Sequence, residues 1–266
     1  MSTPTPAQDD PYLLRSDRNG IATLTLNRPQ QFNSLSQAMI AALQAELDAI
    51  AADPAVRVVV IAGAGKAFCA GHDLKEMRAN HDKAFMQDLF RRCGRMMMAM
   101  TQMPQPVIAR VHGIATAAGC QLVSMCDLAV AADSARFATS GINVGLFCAT
   151  PGVGLSRNLG RKQALEMLLT GDFIDAQTAL QQGLVNRVVA GDVLDAEIDK
   201  LAGSIIGKSS VAIGIGKQMF YKQLEMGLEG AYQYASEVMA CNMMTEDAAA
   251  GIDAFIGKRK VEWLGR

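Results

Sequence analysis

Apolar and polar residues alternate along residues 12 to 16 and again along 20 to 27, on either side of Asn19-Gly20. A period of two buries one face of a strand, and Asn-Gly tolerates the positive φ angles of a tight turn, so the pattern predicts a β-hairpin. The period changes after Ser36. Met39, Ile40, Leu43, Leu47 and Ile50 recur at helical spacing up to residue 53, and Ser36 is placed to cap that helix. VRVVVIAG (56 to 63) shows no alternation and reads as a strand buried on both faces, followed by a glycine-rich turn. Phe85, Leu89, Cys93, Met96, Met97 and Met100 mark a long amphipathic helix that stops before Pro104. VIARVHG (107 to 113) and DLAVAA (127 to 132) are further buried strands. Strands alternating with helices at this spacing predict an α/β architecture.

From about residue 155 the pattern turns helical. Segments 161 to 170, 176 to 182, 192 to 206, 213 to 226 and 229 to 257 read as helices, with one short strand over 184 to 189. The expected organisation is an N-terminal tail (1 to 11), an α/β core (12 to 200) and a helical C-terminal region (201 to 266) continuous with it.

Composition narrows the functions more than the fold. The 266 residues are 50% hydrophobic and 19% charged, ample for one large core. A formal net charge of −1 argues against a nucleic-acid or membrane surface as the main partner. The opening MSTPTPAQDD is polar and acidic, without an apolar signal region. The 6 cysteines have no CxxC spacing, which predicts reduced thiols and a cytoplasmic protein. The 3 histidines have no zinc-like spacing, so no metal is expected.

Two stretches carry candidate chemistry. GKAFCAGHDLKEM (65 to 77) and ATAAGCQL (115 to 122) each follow a strand and turn on small residues. If Ala118 opens a helix, its N–H is one of the unpaired donors at that end. Two such turns converging on one carbonyl oxygen would form an oxyanion hole. Glycine turns often merely turn, and the spacing alone leaves both readings open.

AFCAGHDLKEM, HGIATAAGCQL, CDLAVAADSARF and PGVG (151 to 154) together resemble the enoyl-CoA hydratase/isomerase family, the crotonases. FATSGINVGLFCATPGVG looks most like one particular branch of it. The resemblance covers residues 12 to 262. It implies a spiral of ββα units with a C-terminal helical trimerisation region, a homotrimer or homohexamer, and an acyl-CoA thioester as ligand. Coenzyme A would then be part of the substrate, with no separate cofactor. Carried over by position, the oxyanion amides fall on His72 and Ala118. The CoA contacts fall on Ala70, His72, Asp73, Leu74 and Lys75, and on Phe255 and Lys258 reaching a neighbouring subunit's ligand.

The departures from the family pattern bear on mechanism. The two glutamates that activate water in hydratases map to Gln121 and Gly141, and a hydrolase aspartate maps to Ala149. A general acid or base is worth about 10²–10⁴ in rate, so water addition is expected to be weak or absent. Enolate stabilisation needs only the amides. Decarboxylation of a malonyl-type thioester needs no base; isomerisation would need a proton carrier, for which His72 is the candidate. A non-catalytic CoA-thioester binder is the remaining class.

Each residue also has a plainer role open to it. Gln121 would anchor a helix, and Gly141 would make a turn or leave room for a larger acyl group. Asp73 and Asp127 would tie down backbone, and Cys69, Cys120 and Cys148 would be small core residues. Met96, Met97 and Met98 would be core or acyl-pocket wall, and His81 and His112 structural or solvated.

Overall fold

The computed structural model describes residues 10–266, so most of the expected tail lies outside the described residues. The hairpin pairs β1 (Leu13–Arg18) with β2 (Ile21–Leu26) through Asn19 and Gly20, whose φ angles are 52° and 79°. Next comes α1 (Gln37–Ala51), capped by Ser36, whose hydroxyl accepts from Met39 N at 3.2 Å.

Three ββα units follow. The first is β3 (Val58–Gly63), β4 (Ala67–Cys69), α2 (Leu74–Ala79) and α3 (Lys83–Gln102). The second is β5 (Val107–Val111), β6 (Ile114–Thr116) and α4 (Ala118–Met125). The third is β7 (Leu128–Ala132), β8 (Arg136–Ala138) and α5 (Ala149–Asn158). The first strand of each unit joins one sheet and the second strand joins another. After them come α6 (Arg161–Thr170), β9 (Ile174–Asp175), α7 (Ala176–Gln182), β10 (Arg187–Val189) and α8 (Leu194–Ile206). The sheets run β1-β2-β3-β5-β7-β10 and β4-β6-β8-β9. Pairing is parallel except in the first hairpin and between β8 and β9.

The period-two logic is visible inside β3. Val59 and Ile61 face the main core with Leu24, Leu43 and Met96, while Val58 and Val60 face Leu194, Ile198 and Leu201 of α8. Both faces of the larger sheet are therefore covered, which is why its strands read as continuous apolar runs.

The expected single helix over 229 to 257 is instead two. These are α10 (Leu228–Met243) and α11 (Glu246–Ile256), with Thr245 capping the second. The helix before them, α9 (Ser210–Gln223), starts three residues earlier than its apolar pattern suggested, because Ser209 caps it. A buried ion pair pins α9 to the core: Lys217 Nζ lies 2.6 Å from Asp127 Oδ2 and also donates to the carbonyls of Met100 and Gln105. Asp127 accepts further from Val107 N and the Tyr221 hydroxyl, so it ties down backbone as expected.

Candidate active site

The turns after β4 and β6 meet. Gly71 has φ of +94°, and a Cβ built on it would lie 2.9 Å from Ala117 Cβ and 3.2 Å from Ala118 N. Gly119 has the same role one step on, since a Cβ there would overlap the Cys69 carbonyl. Only glycine lets α4 start so close to β4. Ala117 takes φ of 50° and ψ of −120°, a strained geometry for a residue with a side chain, and its N–H is held by Ala138 O at 3.0 Å. That twist sets the direction of the next amide, Ala118.

The amides of His72 and Ala118 donate to no protein acceptor among the described residues, whereas Ala70 N donates to Phe32 O at 3.0 Å. Around the first turn the chain is tied at several points. Leu35 N donates to Gly71 O at 2.7 Å, and Asp73 caps α2 by accepting from Lys75 N at 2.9 Å and Glu76 N at 3.1 Å. Leu74 and Lys75 are exposed on α2. Two free N–H groups on adjoining turns can hold one oxygen that gains negative charge.

The side chain of His72 turns toward Leu35 and Phe90. Its Nδ1 sits 3.2 Å from the Leu35 carbonyl, which can only accept, so Nδ1 carries the proton. Its ring stands edge-on to Phe90 at 5.3 Å. Burial lowers its pKa, and the bond to Leu35 opposes that shift. The imidazole is therefore neutral near pH 7, with Nε2 a bare acceptor that has no partner among the described residues.

Gln121 follows Ala118 by three residues on the same face of α4 and is 5% exposed, with no partner for Oε1 among the described residues. Gly141 lies in a 3-10 turn over Ser140–Val144 and does not have a positive φ. The space at its α-carbon is taken: a Cβ would lie 2.7 Å from both Cys148 Sγ and Leu146 O. The expectation that Gly141 leaves room for a larger acyl group is thus corrected, because the loop before α5 folds back over it. Cys148 is buried, hydrogen-bonded to the Thr139 carbonyl at 3.5 Å, and burial raises its pKa. The same cause pushes Cys69 and Cys120 up to about 12, which makes all three inert core thiols near pH 7. Ala149 opens α5 and is exposed.

Within one chain the structure does not bring Phe255 and Lys258 to these turns. Phe255 is 85% exposed on α11, which packs on α9 and α10, and Lys258 follows it with φ of 49°. Met96 and Met97 are core, whereas Met98 is exposed. His112 Nε2 donates to the Gly65 carbonyl at 2.9 Å, and His81 is exposed. Residues that the pattern missed are Leu146, which closes the wall at Gly141 together with Cys148, and Leu35, which orients His72. A cavity of about 280 Å3 lies on the α8 side of the larger sheet, between Thr23, Arg110 and Asp195, away from both turns. Among the described residues no cluster of three or more His, Cys, Asp or Glu side chains is placed to hold a metal, and no helix is long and apolar enough to cross a membrane.

The family model described as Enoyl-CoA hydratase/isomerase matches residues 16–266. The chain belongs to the enoyl-CoA hydratase/isomerase family. Among its relatives, the Xenopus laevis protein named enoyl-CoA hydratase domain-containing protein 3, mitochondrial, is 46% identical, covering 96% of this chain and 87% of that one. The human protein of the same name is 44% identical, covering 92% and 81%. The crystal structure of that human protein superposes with a TM-score of 0.92 at 43% identity, covering 95% of this chain and 100% of that one. An enoyl-CoA hydratase from Mycobacterium smegmatis superposes with a TM-score of 0.94 at 58% identity, covering 96% and 99%. The branch that FATSGINVGLFCATPGVG resembles is the one these named relatives share, and the crotonase-family fold is that of the solved relatives. One expectation is overturned. The relatives are named mitochondrial, which points away from the cytoplasm. Scattered reduced thiols indicate a reducing compartment but do not say which one.

Proposed function

We propose that this crotonase-family protein binds an acyl-CoA thioester and stabilises its enolate, with weak or absent addition of water. The observation that carries the reading is the pair of unengaged amides, His72 and Ala118, on turns that touch through Gly71. The thioester oxygen would accept from both, and each such donor is worth roughly 2.7–4 kcal/mol to a developing oxyanion. The backbone from Ala70 to Lys75 would lie along the CoA moiety, with Asp73 holding the turn by capping α2. Phe255 and Lys258 would reach a neighbouring copy's ligand in a trimer or hexamer, a role that suits their exposure on α11. Gln121 and Gly141 stand where the resemblance places the hydratase glutamates. An amide and a glycine packed under Cys148 offer no group that ionises near pH 7, so neither can take a proton from water.

A malonyl-type decarboxylation is the second reading, favoured by the same neutral wall. The bond to the carboxylate breaks, CO2 leaves, and the electron pair passes into the enolate held by the two amides. No base is required, and solvent returns the proton. Mass-spectrometric screening of the purified protein against enoyl-, malonyl- and hydroxyacyl-CoA esters tests both. Turnover of a malonyl ester alone supports the second reading, and binding without turnover of any ester makes the protein a binder. Binding is read by thermal stability, which a ligand raises by mass action. If no thioester at millimolar concentration shifts the melting temperature, the proposal fails.

A further inference from the structure

The peptide that carries the first free amide has little stiffness of its own. Gly71 precedes it at φ of +94°, and glycine lets the next peptide plane swing with little resistance. A hydrogen bond weakens steeply below about 120°, so a swinging N–H would serve a thioester oxygen poorly. Residues 32 to 36 supply what the glycine lacks. Asn33 is fully buried with φ of 55°; its Oδ1 accepts from Arg28 N at 2.9 Å. Its Nδ2 donates to the carbonyls of Ala64 and Ala67 at 2.8 Å each, which fixes the segment against β4.

From that fixed segment Leu35 grips the turn twice. Its N–H donates to Gly71 O at 2.7 Å. The peptide is trans, so its C=O and N–H point in opposite directions, and holding Gly71 O against Leu35 turns the His72 N–H away from the segment. The second grip is on the side chain. His72 Nδ1 lies 3.2 Å from Leu35 O, and the ring stands edge-on to Phe90. One residue thus holds both the oxygen of this peptide and the side chain that follows it.

We propose that the His72 imidazole is a positioning group for its own amide, its bond to Leu35 O fixing the direction in which the N–H meets the thioester oxygen. This rests on the thioester reading above. The role needs a donor on the atom bonded to Cγ. Asparagine places an N–H there, whereas glutamine places it one bond further out, toward the Nε2 position that has no partner among the described residues. Leucine fills similar space with no donor.

The test pairs butyryl-CoA with S-butyl-CoA, a thioether that lacks only the carbonyl oxygen, so the ratio of their affinities reads the oxyanion contact. Titration calorimetry on the protein in its native assembly gives the ratio, and Raman difference spectra follow the C=O stretch of the bound thioester. The unaltered protein is expected to prefer butyryl-CoA by at least about tenfold and to hold its C=O stretch below the value in water. His72→Leu should cut the preference to about threefold or less and raise the stretch, with S-butyl-CoA affinity unchanged within about twofold. His72→Asn should keep most of the preference and the lowered stretch. A His72→Leu protein that keeps both would overturn the assignment. So would equal weakening of the two ligands, which marks a merely structural role, or an equal loss in His72→Asn. Should His72→Leu not fold, His72→Gln carries the same expectation and the same refutation. Failure confined to the variants sinks this inference alone, whereas an unaltered protein that binds the two ligands alike sinks the thioester reading with it.

Discussion

Two of the places where the described residues bury polar chemistry treat it in opposite ways. Beneath α9, Lys217, Asp127 and Tyr221 satisfy one another and three backbone groups, and burial lowers the lysine pKa while the aspartate opposes that shift. Where the turns after β4 and β6 meet, the amides of His72 and Ala118 have no partner among the described residues, and neither does Gln121 Oε1 on α4. A closed network holds structure together, and an open one is free to hold something else. The first anchors the C-terminal helices, and the second is where the thioester is proposed to sit.

The largest expected effect breaks the closed network. Lys217→Met leaves Asp127 buried without its cation and should destabilise the protein by about 3–5 kcal/mol in urea unfolding. Next comes the wall beside the open site. Gly141→Ala forces a Cβ against Cys148 Sγ and Leu146 O and should cost about 1–3 kcal/mol, read by the same unfolding experiment. Cys148→Ala in the same chain should recover part of that loss, while the Leu146 contact should keep recovery incomplete. Restoring glutamates at both positions therefore demands a shift of residues 145 to 148, not just new side chains.

A smaller effect comes from pH. Burial lowers the His72 pKa, so as pH falls below about 6.5 the unfolded chain takes up a proton that the folded chain refuses, and stability is lost. Above that pH both states are neutral and this group contributes no slope. His112 is shifted the same way by burial, so the His72 share is the part of the fall in melting temperature that disappears in His72→Gln. The smallest effect is the most telling for the contrast. Gln121→Met removes an unpaired acceptor, so melting temperature should hold or rise, within about 1 kcal/mol of stability. A loss as large as that of Lys217→Met would make Gln121 a structural anchor and end the contrast.

What the sequence made legible follows from length and periodicity. The helices over Arg161–Thr170 and Ala176–Gln182 lie where their apolar spacing puts them, and the larger sheet follows from its continuous apolar runs. The second sheet is less visible because β4 and β8 have three residues each and β9 has two, too few to show a period. Helix α5 hides behind Pro151, Gly152 and Gly154. Proline is tolerated there because the first turn has no N–H partner to lose, and Gly154 is required by the close approach of α4. The break at Met244–Thr245 has neither glycine nor proline to announce it. At the site, the small-residue turns were readable because close approach needs glycine. The filling of the space at Gly141 was not, because it depends on how residues 145 to 148 fold back. Leu35, which orients His72, lies 37 residues away in the chain.

The amides of His72 and Ala118 are proposed to bind a thioester beside a wall that has no group to activate water. Steady-state hydration of crotonyl-CoA by the unaltered protein, run beside a thermal-shift titration with the same ester, tests this directly. The expected result is a raised melting temperature with hydration slow or undetectable. Turnover at an ordinary enzymatic rate, roughly 1–10³ per second, would contradict it and would move the proton chemistry to another group, with His72 the first to examine.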